Sequence, residues 1–239
     1  APAPVPAPTP TPTPTPTPAP APVPATGALV SITLDDGLAS QYDNARPVLA
    51  QNGIPATYYL ISGALNRSGY MSTGQARELQ GAGSELGSHS ATHANLTQVS
   101  PDQLTNELAG SKSALEAQFG TIRSLAYPFG AYNSTVVAEA TRIYETARTT
   151  DGGINRRGAI NRGQLTMRYV TTTTDAATVA GWMTEAANAG GWTILVYHGV
   201  AEGGDIYSVT PSQFASHMAA VRNSGLRTVT VSAGYDAMT

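Results

Sequence analysis

Apolar residues in this chain fall into short runs, separated by stretches in which they recur every three or four positions. Leu29–Leu34 is such a run and predicts a buried strand. Gln41–Asn52 then reads as a helix, Thr57–Ile61 as a strand and Thr73–Ala82 as a helix, with a further strand before His89. Ser100-Pro101-Asp102 opens the clearest helix. Ser100 is its N-cap, Pro101 takes the first helical position, and Leu104, Leu108 and Leu115 share one face. Gly120, directly after Phe119, supplies the stop. Strands follow at Leu125–Tyr127, Glu145–Thr149, Met167–Thr171, Trp192–Tyr197 and Leu226–Val231, with helices near Ser134–Arg142, Ala176–Ala189 and Pro211–Asn223. This alternation predicts an α/β fold with a parallel sheet, and the number of units suits a closed or distorted barrel. In such folds chemistry gathers where strands end.

The pattern begins only after Gly27. From Pro2 to Pro24 every second residue is proline, alternating mainly with alanine and threonine. That composition removes backbone donors, favours polyproline II and cannot bury enough apolar surface to fold. Residues 1–26 are therefore expected to be a semi-rigid, disordered linker, a passive spacer, and residues 27–239 one domain with a sizeable core. No signal peptide is visible before the proline-rich run, which reads as a mature or excised fragment. Such linkers resemble those of extracellular polysaccharide-degrading enzymes, implying export and an upstream module joined through the linker.

Composition narrows the partners. Charged residues make up 12% of the chain and the net charge is −3, against about 25% charged in typical globular domains. No basic footprint for nucleic acid or anionic membrane is present, and no apolar run approaches the roughly 20 residues of a membrane span. With no cysteine, a metal site must use histidine and carboxylate.

Four segments carry candidate chemistry. In Thr33-Leu34-Asp35-Asp36-Gly37 a strand runs into two adjacent carboxylates, and Gly37 permits a turn that lets the pair share one site. Their repulsion is relieved by a cation. His89-Ser90-Ala91-Thr92-His93 places two imidazoles four residues apart, expected to converge on a metal from one helical face. With Asp36 they form two histidines and one carboxylate, leaving positions for water and substrate. His198, after the strand Trp192–Tyr197, is a candidate general acid. Tyr127-Pro128-Phe129-Gly130 forms an irregular loop whose amides and aromatic rings suit a ligand such as a sugar. His217, on the helix after Pro211, is expected to take a packing or surface role, and Trp182 and Trp192 to be core.

In order and spacing these segments resemble the NodB-homology polysaccharide deacetylases, carbohydrate esterase family 4, over residues 28–232. Thr33–Gly37, His89–His93, Tyr127–Gly130 and Val196–His198 match four of that family's motifs. The resemblance implies a distorted (β/α) barrel with a divalent metal, usually zinc and sometimes cobalt, held by Asp36, His89 and His93. It implies Asp35 as base, His198 as acid, the Phe129 amide as oxyanion donor, and Tyr127 and Val196 beside the substrate, an acetylated polysaccharide. Two departures stand out. Ala126 occupies the place of an arginine that orients the catalytic aspartate, with Arg168 as a candidate substitute. Asp151, in Thr150-Asp151-Gly152-Gly153, stands near the place of an aspartate that tunes the catalytic histidine, but without the tryptophan that follows it. A binding module that has lost turnover is the alternative these departures suggest. A non-haem iron oxygenase also suits two histidines and a carboxylate, although the Asp-Asp pair and the separate His198 argue against it.

Overall fold

A computed structural model describes residues 27–239, so the linker expected over 1–26 lies outside the described residues. Eight parallel strands make the sheet: β1 Leu29–Leu34, β2 Ala56–Leu60, β3 Glu85–Ser88, β4 Ser124–Ala126, β5 Thr146–Gly152, β6 Leu165–Tyr169, β7 Trp192–Tyr197 and β8 Arg227–Thr228. Strands β1 to β7 pair in chain order, and β1 meets both β2 and β7, so seven strands close a barrel. The free edge of β1 is divided. Its first half, Leu29 and Val30, pairs with β8, whereas Ile32–Leu34 pair with β2.

Helices cover the outside: α1 Arg46–Asn52, α2 Thr73–Gly81, α3 Pro101–Thr105, α4 Ser111–Phe119, α5 Ser134–Ile143, α6 Ala176–Ala189, α7 Pro211–Asn223 and α8 Val231–Met238. The expected N-cap at Ser100 is present and is a full capping box with Gln103. The helix it opens, however, is interrupted by a π-helical turn at Asn106–Gly110, and a second π turn, Gln41–Ala45, precedes α1. The strand expected at Leu226–Val231 shortens to Arg227–Thr228, because Thr230 caps α8 by accepting the Ala233 N–H.

Strand alternation sorts side chains into two buried layers. Val30, Ile32 and Leu34 of β1, Tyr58 and Leu60 of β2, and Leu195 and Tyr197 of β7 face the helices. Tyr59, Ala126, Met167, Trp192, Ile194 and Val196 fill the barrel lumen. At the lower end α8 closes the barrel: Trp192 is fully buried, its indole N–H donates to Ser31 Oγ (2.9 Å), and a Cβ on Gly234 would lie 2.6 Å from the indole. Of the packing and surface roles expected for His217 it takes the packing one, buried between the Tyr197 hydroxyl and the Thr174 carbonyl.

Candidate metal and catalytic centre

The same alternation decides what reaches the barrel mouth. Continuing the inward-facing register of each strand beyond its last rung brings Asp35 after β1, His89 after β3 and His198 after β7 to one upper rim, with Arg148 from β5 and Tyr169 from β6. The Asp35 N–H donates to the Tyr197 carbonyl (2.9 Å), which locks the ends of β1 and β7 together. Asp35, His89, Tyr169 and His198 line a cleft of about 650 Å³ that also includes Asp36, His93, Tyr127, Phe129, Thr150, Asp205 and Tyr207.

Asp36 escapes the alternation by turning. Its φ is +77° and that of Gly37 is +72°, and the Gly37 turn passes so close to Leu60 that a Cβ would lie 2.9 Å from that side chain. Asp35 thus stays in the lumen while Asp36 swings onto the rim. His89 and His93 are not on a helix, contrary to expectation: residues 89–93 form a loop in which Ser90 (φ +63°) and His93 (φ +64°) are left-handed. Those two reversals fold His93 back over His89, with ring centroids 4.8 Å apart. Of the five described non-glycine residues with positive φ, Asp36, Ser90, His93 and Phe129 all lie at this site.

The donor set fits a divalent cation. Asp36 Oδ1 lies 3.6 Å from His89 Nε2 and 3.5 Å from His93 Nε2, close to the roughly 3.3 Å tetrahedral edge implied by bonds of about 2.0–2.1 Å. Oδ1 is buried and has no hydrogen-bond partner among the described residues. His89 Nδ1 is held by the Ala126 carbonyl (2.8 Å), so Nε2 is the atom presented to a metal. Burial pushes the His89 pKa down to about 3, so the ring is neutral and ready to ligate. Burial, reinforced by the Asp35 charge, raises the Asp36 pKa, a cost that a bound cation removes.

Arg148 is the residue that sequence reasoning missed. It is fully buried and its guanidinium donates to Asp35 Oδ2. Arg148 stands opposite Ala126 in the β4–β5 register, and both side chains face the lumen. Burial alone would raise the Asp35 pKa, but Arg148, His89 and His198 outweigh it and hold the carboxyl below its usual range. Asp35 Oδ1 has no hydrogen-bond partner among the described residues, and His198 Nε2 lies 3.9 Å from Oδ2.

Three expected residues are placed elsewhere. Arg168 sits between inward-facing Met167 and Tyr169, so it points outward and pairs with Glu185 on α6, away from Asp35. Asp151 lies one step beyond Thr150, which faces the cleft; it is exposed and accepts from the Tyr132 hydroxyl (2.6 Å), leaving His198 Nδ1 without a partner among the described residues. Val196 is buried in the lumen one inward step below His198 and does not line the cleft. In place of Val196 and a tryptophan, Tyr169 and Tyr207 flank His198, each with its ring centroid 5.6 Å away. Tyr127 does line the cleft, with its hydroxyl donating to the Gly163 carbonyl (3.0 Å). Phe129 has φ +59°, is 66% exposed, and its ring lies 4.5 Å from that of His93.

A parallel barrel with two histidines, an aspartate pair and a further histidine at its mouth has the architecture of a carbohydrate esterase. The polysaccharide deacetylase family model matches residues 23–145, and the chain belongs to that family. It is 31% identical over 130 residues to YxkH of Bacillus subtilis (strain 168), covering 54% of this chain and 47% of that protein. A bifunctional xylanase/deacetylase of Pseudobutyrivibrio xylanivorans is 28% identical over 109 residues, 45% of this chain and 18% of that protein. The chain thus spans less than half the length of these curated relatives. The fold is shared with the Xyl-CE4 domain of a multidomain xylanase from the hindgut metagenome of Trinervitermes trinervoides, with TM-score 0.65, 23% identity, and coverage of 87% of this chain and 90% of that one.

Proposed function

We propose that this protein hydrolyses acetyl groups, O- or N-linked, from a polysaccharide such as acetylxylan or a chitin-type polymer, releasing acetate. The carrying observation is the convergence of Asp36, His89 and His93 with Asp35 and His198 at one barrel mouth. In this reading Asp36, His89 and His93 hold a divalent cation, zinc or cobalt. When bound, that ion supplies Lewis-acid activation of water and of the acetyl carbonyl. Arg148 occupies one oxygen of Asp35, which orients the carboxylate and leaves Oδ1 to accept the proton of the attacking water. Phe129 lines the same cleft, and its N–H is the donor for the developing oxyanion. His198, packed between two tyrosines, gives its proton to the departing nitrogen or oxygen. Arg148 supplies the charge missing at Ala126, which removes the main ground for a module without turnover.

The site residues, residues 27–239 as the catalytic domain behind a linker, export from the cell and an upstream module all belong to this proposal. Two relatives whose names combine xylanase with deacetylase or with CE4 support a plant cell-wall polymer and a multidomain setting. No helix among the described residues is long and apolar enough to cross a membrane. The test is Asp35→Asn, assayed for acetate release from acetylxylan and chitooligosaccharides with added zinc and a chelator control. A loss of about 10²–10⁴-fold with zinc still bound is expected. Undiminished release would remove Asp35 as the base.

A further inference from the structure

Glu107 is a buried carboxylate that the proposed chemistry does not use. It lies three residues after Leu104 and just before Leu108, within the stripe that α3 and α4 turn toward the core, where a charge is costly unless it is fully engaged. It is engaged by the ligand loop. Glu107 Oε2 accepts the N–H of Ala91 (3.0 Å) and of Thr92 (2.9 Å), and Oε1 accepts the Thr92 hydroxyl (2.6 Å). These are the residues between the two histidines.

The loop needs an external hold. Ser90 and His93 both adopt left-handed backbone conformations that residues with a Cβ disfavour. On one side the loop's carbonyls are tied to the segment after β2, with the Ser62 N–H donating to Ser90 (3.1 Å) and the Gly63 N–H to Ala91 (2.9 Å). On the other side the Ala91 and Thr92 amides meet Glu107, and the Ser90 hydroxyl accepts the His93 N–H (3.0 Å). Glu107 reaches them from the π turn Asn106–Gly110, whose wider coil shifts the helical register between α3 and α4.

We propose that Glu107 is a positioning residue that, from a π turn, clamps the His89–His93 loop in the shape that brings both imidazoles to the metal. The proposal rests on the metal reading of Asp36, His89 and His93. The expected consequence is on metal affinity, separable from stability by comparison with Leu104→Ala, a cavity variant on the same buried stripe.

Zinc affinity of the whole chain would be measured by chelator competition, alongside thermal unfolding without metal and amide exchange at Ala91 and Thr92. Glu107→Ala is expected to weaken zinc binding roughly 10–100-fold and to speed exchange at both amides, whereas Leu104→Ala lowers the unfolding temperature and leaves zinc affinity unchanged. Glu107→Gln, which keeps one acceptor oxygen, is expected to fall between, and it carries the test if Glu107→Ala does not fold. Zinc affinity in Glu107→Ala or Glu107→Gln equal to that of the parent would overturn the proposal. A parent protein that binds no zinc would instead overturn the metal reading beneath it.

Discussion

Arg148 and Asp35 form an ion pair with both partners buried, and its energetics differ from those of the surface pairs elsewhere in the molecule. Two charges taken out of water repay their desolvation only while both are present. Arg148→Met should therefore cost about 3–5 kcal/mol, read as a lower urea midpoint, because it strands a buried carboxylate. Adding Asp35→Leu to Arg148→Met should restore much of that stability while acetate release stays absent. A double variant no more stable than Arg148→Met alone would show that the pair does not act as a unit. The residues with rare chemistry were legible from sequence: Asp35, Asp36, His89, His93 and His198 stand at strand ends in a recognisable order. Arg148 was not, because its role depends on which way β5 faces and on what stands opposite in β4. The available signal was an arginine inside the predicted strand Glu145–Thr149. Arg168 carried a similar signal and failed on the same parity, facing outward between Met167 and Tyr169.

At the scale of elements, the turn Pro128–Gly130 shows how backbone shape serves the cleft. Gly130 has φ +65°, and a Cβ there would lie 2.0 Å from Thr150 Oγ1, on the next strand. Gly130→Ala should cost at least about 1–2 kcal/mol from the left-handed conformation alone and push the turn off β5. Since Phe129 rides on that turn, acetate release should fall while zinc affinity holds. Unchanged release would mean that the turn does not shape the reacting site. Helices with ordinary caps were readable to the residue, as at Ala176–Ala189 and Pro211–Asn223. The π turns were not, because one inserted residue leaves the apolar spacing of Leu104, Leu108 and Leu115 nearly intact. Helix α8 was hidden because Thr228-Val229-Thr230-Val231 has the β-branched composition of a strand, and the Thr230 cap decides otherwise.

For the molecule as a whole, the barrel separates stability from chemistry along its axis. Trp192 begins β7 at the lower end, and His198 follows its upper end, so six residues at roughly 3.3 Å each place them about 20 Å apart. Trp192→Ala should cost about 3–5 kcal/mol through the cavity left against Ser31 and Gly234, lowering the unfolding temperature with zinc affinity unchanged. A parallel fall in zinc affinity would mean that the two ends are coupled. The closed barrel followed from the alternation of strands and helices, but the divided edge of β1 did not, since no local pattern announces a strand with three partners.

That divided edge also fixes the order in which the chain can finish folding. Strand β1 leaves the ribosome ahead of every other strand, yet its partners β7 and β8 begin at Trp192 and Arg227. Until β7 emerges only Ile32–Leu34 can be satisfied, by β2, and the remaining N–H and C=O groups of an apolar strand stay unpaired, the condition that invites pairing with another chain. Closure joins segments more than 150 residues apart, so the loop entropy must be met before the contacts form, and folding should be slow and late. Asp35 and His198 are brought together by that same closure, so the two side chains meet only after β7 has been made and has paired with β1.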